Sequence, residues 1–545
     1  MSTKSHAKRA RSQPFLGRHD HTAAPSSGEA VLLASEGSPR TARCQLWADV
    51  RQPPPQWAPP VAAVGRLLQP EAAASLEIQV AVSVHRLRKR LAELCKASGL
   101  KAKLRPLTFE RWRFASKWEE GMASSAPKDT GKKRKRSAGS GSSSHPVLPG
   151  HVPAGRTCSA DKDLATELQR QGLSSEAASS AAREVRRESL RLAAEVCKTA
   201  HRVSSGKSLP APLLKARFHR HSVDLVSGIH LVKLSRAAYG KLALLHRRYA
   251  KPEERAPPEL KVEPPEQEEG AAEELEASLG EAGQDGSLES RARLPLHLRL
   301  FAMLLRYKTL RGHGFQAAVG RPVWQALQQR LALGCECFAS PLNAFLPAFG
   351  SAFPDVDAPF GSRGSFFQFR PLSGSFAANP PFVHSIMDAM ADHLTDLLQA
   401  SASKGDHALS FAVFVPGWRE CAGFAALAAS PFLKRLVLVA ADDHGFADGA
   451  SHQRQDPYRR SPYDTACFFL QTDKAARQWP VTDEVEAELR RAFAQCLPSA
   501  AAELRQGVSS RAKGKQKAGS KPTSKLEGST SSRKATTARP TGKKK

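Results

Sequence analysis

An α/β fold, with a mostly parallel sheet covered on both faces by helices, is predicted for the C-terminal part of the chain. Short apolar runs alternate there with helical patterns, as in a sheet built from strand–helix–strand units. FAVFV, and RLVLVA after its leading arginine, are continuous apolar runs, as strands buried on both faces are. Upstream of about residue 250 the periodicity is helical instead, which predicts a separate helical domain.

The elements follow in order. RLPLHLRLFAMLLRYKTL and PVWQALQQRLAL read as helices, then CECFAS and SFFQFR as strands. A helix is predicted from Val383 to Ala400, a strand at LSFAVFVP, and a helix around Cys421 to Ala429. Strands at KRLVLVAA and TACFFLQTD and a helix from Thr482 to Gln495 complete the set. In the N-terminal half, Leu76, Ile78, Val80, Val82, Leu87, Leu91 and Leu94 form one stripe, with Arg86, Arg88, Lys89 and Arg90 clustered beside it, a basic amphipathic helix. Two further helical patterns cover residues 161–203 and Leu213 to Tyr249. The predicted organisation is a disordered leader over 1–70, a helical segment over 71–120, a basic linker over 121–160 and a helical domain over 161–250. An acidic disordered linker over 251–290, the α/β domain over 291–500 and a basic disordered tail over 501–545 follow. RQPPPQWAPP, inside the leader, favours polyproline II and reads as a stiff spacer.

Charge narrows the partners. The 545 residues carry a formal charge of +29, which favours a polyanion, and nucleic acid is the usual one. The excess is uneven: Gly507 to Lys545 has twelve Lys or Arg against one Glu, whereas Lys251 to Ser290 has thirteen acids against three bases. Nine cysteines include no CxxC pair, and Cys335-Glu336-Cys337 is too tight for a zinc knuckle, so neither a disulfide framework nor a metal site is predicted. No apolar run approaches the ~20 residues of a membrane span, and no secretory signal is read at the N-terminus. Lys132-Lys133-Arg134-Lys135-Arg136 reads either as a nuclear import signal or as a solvated linker, and the expected location is the nucleus.

The candidate site is Asn379-Pro380-Pro381-Phe382, just before the helix that starts near Val383. In a doubly wound sheet such strand-to-helix loops form the ligand crevice. Asn offers an acceptor and two donors on a short arm. Two prolines fix φ and leave carbonyls free to accept, and Phe382 supplies a face for a base, worth about 1–3 kcal/mol when it stacks. Together these suit an exocyclic amine. If Asn379 Oδ1 and the Pro380 carbonyl accept its two protons, the nitrogen lone pair turns out of the ring plane toward an electrophile, and catalysis comes from positioning and dipoles.

Asn-Pro-Pro-Phe resembles the motif of S-adenosylmethionine-dependent amino-methyltransferases. The stretch from Glu336 to Phe382, with LLRYKTLRGHGFQAAV upstream and FAVFVPGWRE and TACFFLQTD downstream, resembles the cap-specific adenosine N6-methyltransferases, also called phosphorylated CTD-interacting factors. The likeness covers about residues 295–480. It implies a Rossmann-like methyltransferase domain on a helical domain, with S-adenosylmethionine as cofactor. The substrate implied is capped mRNA, methylated on N6 of 2′-O-methyladenosine beside the 7-methylguanosine cap. Asn379, Pro380, Pro381 and Phe382 would form the adenine pocket, and Phe338, Ala339, Ser340, Pro341 and Asn343 would lie against the donor. Asp355 or Asp357 stands where a doubly wound sheet often places a ribose-binding carboxylate; the other reading of each is a loop cap. Arg363 would face phosphate or the donor carboxylate. Trp418 reads as a platform for a cap base or as a core plug. Arg86, Arg88 and Lys89 would line an RNA groove. Two other readings stay open: a catalytically silent RNA-binding protein, and an N6-adenine methyltransferase acting on internal RNA or DNA. Animal members carry a WW module with tryptophans about twenty residues apart. Trp47 and Trp57 are only ten apart, so a chain without that module is expected, which puts contact with RNA polymerase II in doubt.

Overall fold

The computed structural model describes residues 52–62, 67–105, 107–125, 147–150, 158–207, 209–255, 288–310, 317–449, 451–453 and 456–499. Most of the leader, most of the basic and acidic linkers and the whole basic tail lie outside these residues.

The N-terminal part is built from α1 (Pro70–Ala97), α2 (Thr108–Ser125), α3 (Ser159–Arg170), α4 (Ser175–Ser204) and α5 (Arg236–Tyr249), joined by α6 (Leu288–Leu310). The stripe on α1 buries Leu76, Val80, Val84, Leu87 and Leu91. Helix α4 starts where the Ser174 side chain accepts from the Ala177 N–H, satisfying one of the donors that a helix N-terminus leaves unpaired.

Between α4 and α5 the expected helix is replaced by a three-stranded antiparallel sheet. Its strands are β1 (Lys215–Phe218), β2 (Ser222–Ser227) and β3 (His230–Ser235). The physical reason is a period of two: Val223 and Leu225 alternate with Ser222 and Asp224, Val232 and Leu234 with Leu231 and Lys233, and the first of each set is buried. Gly228, at φ +56°, makes the turn between β2 and β3.

The C-terminal part is a six-stranded sheet whose order is Ala348–Ser351 (β5), Cys335–Ala339 (β4), Gly374–Ala378 (β6), Leu409–Pro416 (β7), Thr465–Gln471 (β11) and Leu433–Val439 (β8). Helix α7 (Arg321–Leu331) leads into β4 (Cys335–Ala339), which is followed by β5 (Ala348–Ser351) and the one-turn α8 (Pro354–Asp357). Next come β6 (Gly374–Ala378), α9 (His384–Ser403), β7 (Leu409–Pro416), α10 (Ala422–Ala428) and β8 (Leu433–Val439). The β9 (Gly445–Ala447) and β10 (Tyr458–Arg460) hairpin returns the chain to β11 (Thr465–Gln471), and α11 (Asp473–Gln478) and α12 (Asp483–Ala494) follow. Strands β5, β4, β6 and β7 are parallel, while β11 runs antiparallel to both β7 and β8. One face is closed by α7 and α12 over Trp324, Leu327, Phe414 and Phe493; the other by α9 and α10 over Leu394, Phe411, Phe424 and Phe468.

Two strand assignments change. SFFQFR forms a 3-10 turn, Phe366–Gln368, because Phe366 is wholly buried beneath α9 and packs rather than pairs; the strand before Asn379 is the small-residue run GSFAA of β6. RLVLVA, expected as a central strand, lies at the sheet edge as β8, and its outward residues are half-buried.

Residues 52–62 also depart from the expected free leader. Trp57 meets the Phe376 ring edge-on at 4.8 Å and lies against Gly334, just before β4, and Gly374, the first residue of β6. A Cβ built on Gly374 would come within 2.5 Å of the indole, so glycine is required there. The Ala62 N–H donates to the Ser362 carbonyl at 3.0 Å, and Arg363 Nη1 to the Pro59 carbonyl at 2.8 Å. The proline-rich segment is thus a strap across the end of the sheet remote from the strand C-termini.

Removing the indole by Trp57→Ala should lower stability by about 2–3 kcal/mol, read as a shifted urea midpoint; an unmoved midpoint would show the strap undocked in solution.

Candidate active site

The sheet fixes where a ligand crevice can be. From β4 the chain crosses first to β5 on one side, then to β6 on the other, so the topological switch lies between β4 and β6. Glu336 pairs with Ala377 in the parallel register, which brings Phe338-Ala339-Ser340 alongside Asn379-Pro380 at the strand ends. The two sequence candidates are therefore neighbours.

Asn379 is half-buried. Its Nδ2 donates to the Ala317 carbonyl at 3.1 Å, which turns Oδ1 the other way. Oδ1 is buried and has no hydrogen-bond partner among the described residues. An unmet buried acceptor costs about 1–3 kcal/mol, which a ligand N–H would recover. The Ala317 carbonyl is itself held: Ala318 exchanges two backbone hydrogen bonds with Ala447 of β9, at 3.0 and 2.8 Å. Pro380 is buried and Pro381 half-buried. Phe382 is half-buried, with Phe446 at 5.9 Å and Trp418 at 6.5 Å, both steeply inclined to it. Trp418 continues the aromatic rim, meeting His384 at 5.3 Å and Tyr463 at 5.1 Å, and Tyr463 is 45% exposed.

The turn after β4 is tied from several sides. Asn343 Oδ1 accepts from the Ser340 N–H at 2.7 Å and from Ser340 Oγ at 2.8 Å. Glu336 Oε1 accepts from the N–H groups of Phe345 and Leu346 at 2.6 and 2.9 Å, and Lys241 Nζ, from α5, donates to the Ala344 carbonyl at 2.7 Å. Burial pushes the Glu336 carboxyl up to about 7 and the Lys241 ammonium down to about 7, each opposed by the other's charge. Asn343 thus shapes the turn with its side chain. Ala339 is half-buried and Pro341 buried, while the Phe338 ring packs on Phe366 and Phe367 at 5.1 and 5.8 Å.

Other candidates are engaged elsewhere. Asp355 takes two hydrogen bonds from Arg306, at 3.2 and 2.8 Å, and its side chain stays 40% exposed. Asp357 is wholly buried and accepts from the Tyr307 hydroxyl at 2.7 Å, which gives it a structural part at the junction with α6 rather than an open carboxylate. Arg363 lies over the Tyr249 ring at 5.7 Å and holds the strap. Arg88 does not face an RNA groove: its Nε donates to Glu110 at 2.9 Å, and the guanidinium covers Phe109, because the helix stripe turns it toward α2. Arg86 and Lys89 remain exposed on α1. Among the described residues no three groups are placed to hold a metal, and no helix is long and apolar enough to cross a membrane.

Ala317, Glu336, Lys241 and Tyr463 are not recognised as site residues from sequence. Two of them carried a signal: Glu336 is the lone charge in a buried run, and Lys241 sits on the same α5 face as Ala238, Leu242 and Leu245.

Fold and site together define a doubly wound α/β protein with a crevice at its switch point. A family model described as the phosphorylated CTD interacting factor 1 WW domain matches residues 283–449. Human and mouse proteins named mRNA (2′-O-methyladenosine-N(6)-)-methyltransferase are 38% and 37% identical over 202 residues, 36% of this chain and 28% of each relative. The match therefore spans less than a third of those relatives' length. It corrects the expectation of a chain without the WW module: the matching family model bears that description, and it falls on residues 283–449, not around Trp47 and Trp57. The doubt about polymerase contact rested on that tryptophan spacing and loses its ground. In the structure this stretch runs from α6 to β9 and supplies five of the six strands of the large sheet.

Burial pushes the Asp357 carboxyl up to about 7 from an ordinary 3.8, against the pull of the Tyr307 hydroxyl. The folded chain therefore holds a proton that the unfolded chain releases above pH 3.8. This stabilisation is complete below that pH and is lost as pH rises through about 7. Asp357→Asn, which still offers Tyr307 an acceptor, should flatten the decline and raise stability at pH 8 by up to about 4 kcal/mol. Equal slopes in melting temperature from pH 5 to 8 for both proteins would contradict this.

Proposed function

We propose that the chain transfers a methyl group from S-adenosylmethionine to N6 of adenosine, on the 2′-O-methyladenosine next to the 7-methylguanosine cap of mRNA. The observation that carries the reading is the buried, unpartnered Oδ1 of Asn379 at the switch point, beside the half-buried Phe382. The names of the human and mouse relatives support the substrate.

The residues present suit such a donor at the end of β4, where the small Ala339 leaves the backbone approachable and the Ser340–Asn343 hydrogen bonds keep the turn rigid. Asp355, still partly exposed beside Arg306, is the carboxylate a ribose hydroxyl would reach; Asp357 does not suit that part. The bound donor supplies an electrophilic methyl on a sulfonium. Asn379 Oδ1 and the Pro380 carbonyl accept the two amine protons, which draws the lone pair out of conjugation. Because Nδ2 of Asn379 is committed to Ala317, the carboxamide cannot flip to present its donors instead. Phe382 holds the purine plane, and Pro380-Pro381 fixes the carbonyls before substrate arrives. Transfer leaves one proton in excess on the nitrogen, and it passes to water.

Trp418, with His384 and Tyr463, is read as the ledge for a neighbouring base, and Arg86 and Lys89 as phosphate contacts. The description of the matching family model supports contact with a phosphorylated CTD, and a nuclear location belongs to the same proposal.

Asn379→Ala should cut kcat by about a hundredfold or more while affinity for capped RNA changes less than twofold. Methylation is read by nucleoside mass spectrometry on RNA beginning with 2′-O-methyladenosine after a 7-methylguanosine cap. Full activity in that variant would end the proposal. Uncapped RNA and a DNA oligonucleotide of the same sequence should be methylated at least tenfold more slowly, and equal rates would favour an internal or DNA substrate.

A further inference from the structure

The turn after β4 gains one of its anchors from outside the α/β part. Lys241 stands on α5, is wholly buried, and reaches across to the Ala344 carbonyl. From within the sheet, Glu336 holds the next two N–H groups of the same turn. Ser340 and Asn343 close its first half, with the Ala344 N–H also donating to the Ser340 carbonyl at 2.9 Å. Burying an ammonium and a carboxylate costs several kcal/mol per ion, and apolar residues of similar volume often pack as well or better. Stability alone is thus a poor account of the pair; holding one backbone conformation is a better one.

We propose that Lys241 is a positioning residue for the methyl donor: by gripping the Ala344 carbonyl while Glu336 grips the N–H groups beyond it, it fixes the turn against which the donor lies. This rests on the methyl-transfer reading above. It also makes the donor site a joint product of the helical part and the sheet. The groups facing the ammonium agree with this role. Glu336 is its counter-charge, and the His452 imidazole is held neutral, lowered to about 4 by burial.

The test uses the full chain, S-adenosylhomocysteine as the probe, and two variants. Lys241→Met removes the donor; Lys241→Met/Glu336→Gln removes it without leaving a lone buried charge, and so answers the question if the single variant fails to fold. Calorimetry should show probe Kd raised at least tenfold in the folded variant, and ligand-free hydrogen exchange should show faster exchange over residues 340–346. The KM for the donor should rise in step, with kcat at saturation within threefold and affinity for capped RNA within twofold of the parent. A folded variant that binds the probe as tightly as the parent, or protects 340–346 equally well, overturns the proposal. Failure of the parent itself to bind the probe would sink the methyl-transfer reading, and this inference with it.

Discussion

A buried guanidinium bridges the two parts of the molecule. Arg306 on α6 donates to Glu77 on α1 and to Asp355 just beyond β5, and is itself shut away from water. Burial works against its charge, but the two carboxylates more than offset that and keep it ionised. The arrangement tolerates no sliding, because a charge left without a partner in such a place costs several kcal/mol. The core of the helical part then runs on into the loops after β4 and β5, where Leu342, Phe353, Val356 and Phe360 belong to it. The strand-end loops are therefore not free surface segments but part of a shared interior.

That sharing explains how a crevice made of loops can be rigid. Asn379 owes its orientation to Ala317, Ala317 to its neighbour's pairing with β9, and β9 to the hairpin that leads into β11. The orphaned oxygen is thus set by a strand registered on the far side of the site. The aromatic residues around Phe382 come from the same rim: Trp418 follows β7, Phe446 lies in β9 and Tyr463 precedes β11.

Much of this was legible in the residues. Continuous apolar runs marked β7 and β11, the 3.6-residue pattern marked α7, α9 and α12, and the stiff tetrapeptide marked the crevice. The misses have physical causes. GSFAA hid β6 because its small residues pack beneath neighbours that are large, whereas SFFQFR drew attention with aromatics that fill a core without pairing. The β1–β3 sheet was masked by basic residues on its outer face, which blurred a period of two. Partnership across the chain is harder still: nothing local says that Lys241 meets Ala344 or that Arg88 is spent on Glu110, since both follow from how helices turn against their neighbours. The proline-rich stretch looked like a spacer because its binding surface lies hundreds of residues away.

That distance has a kinetic meaning. Trp57 closes over glycines at 334 and 374, so the strap leaves the ribosome long before the surface it covers has been made. Contacts this remote in sequence pay their loop-closure entropy late. The floor of the sheet is consequently sealed near the end of folding, by the piece of the described chain that was synthesised first.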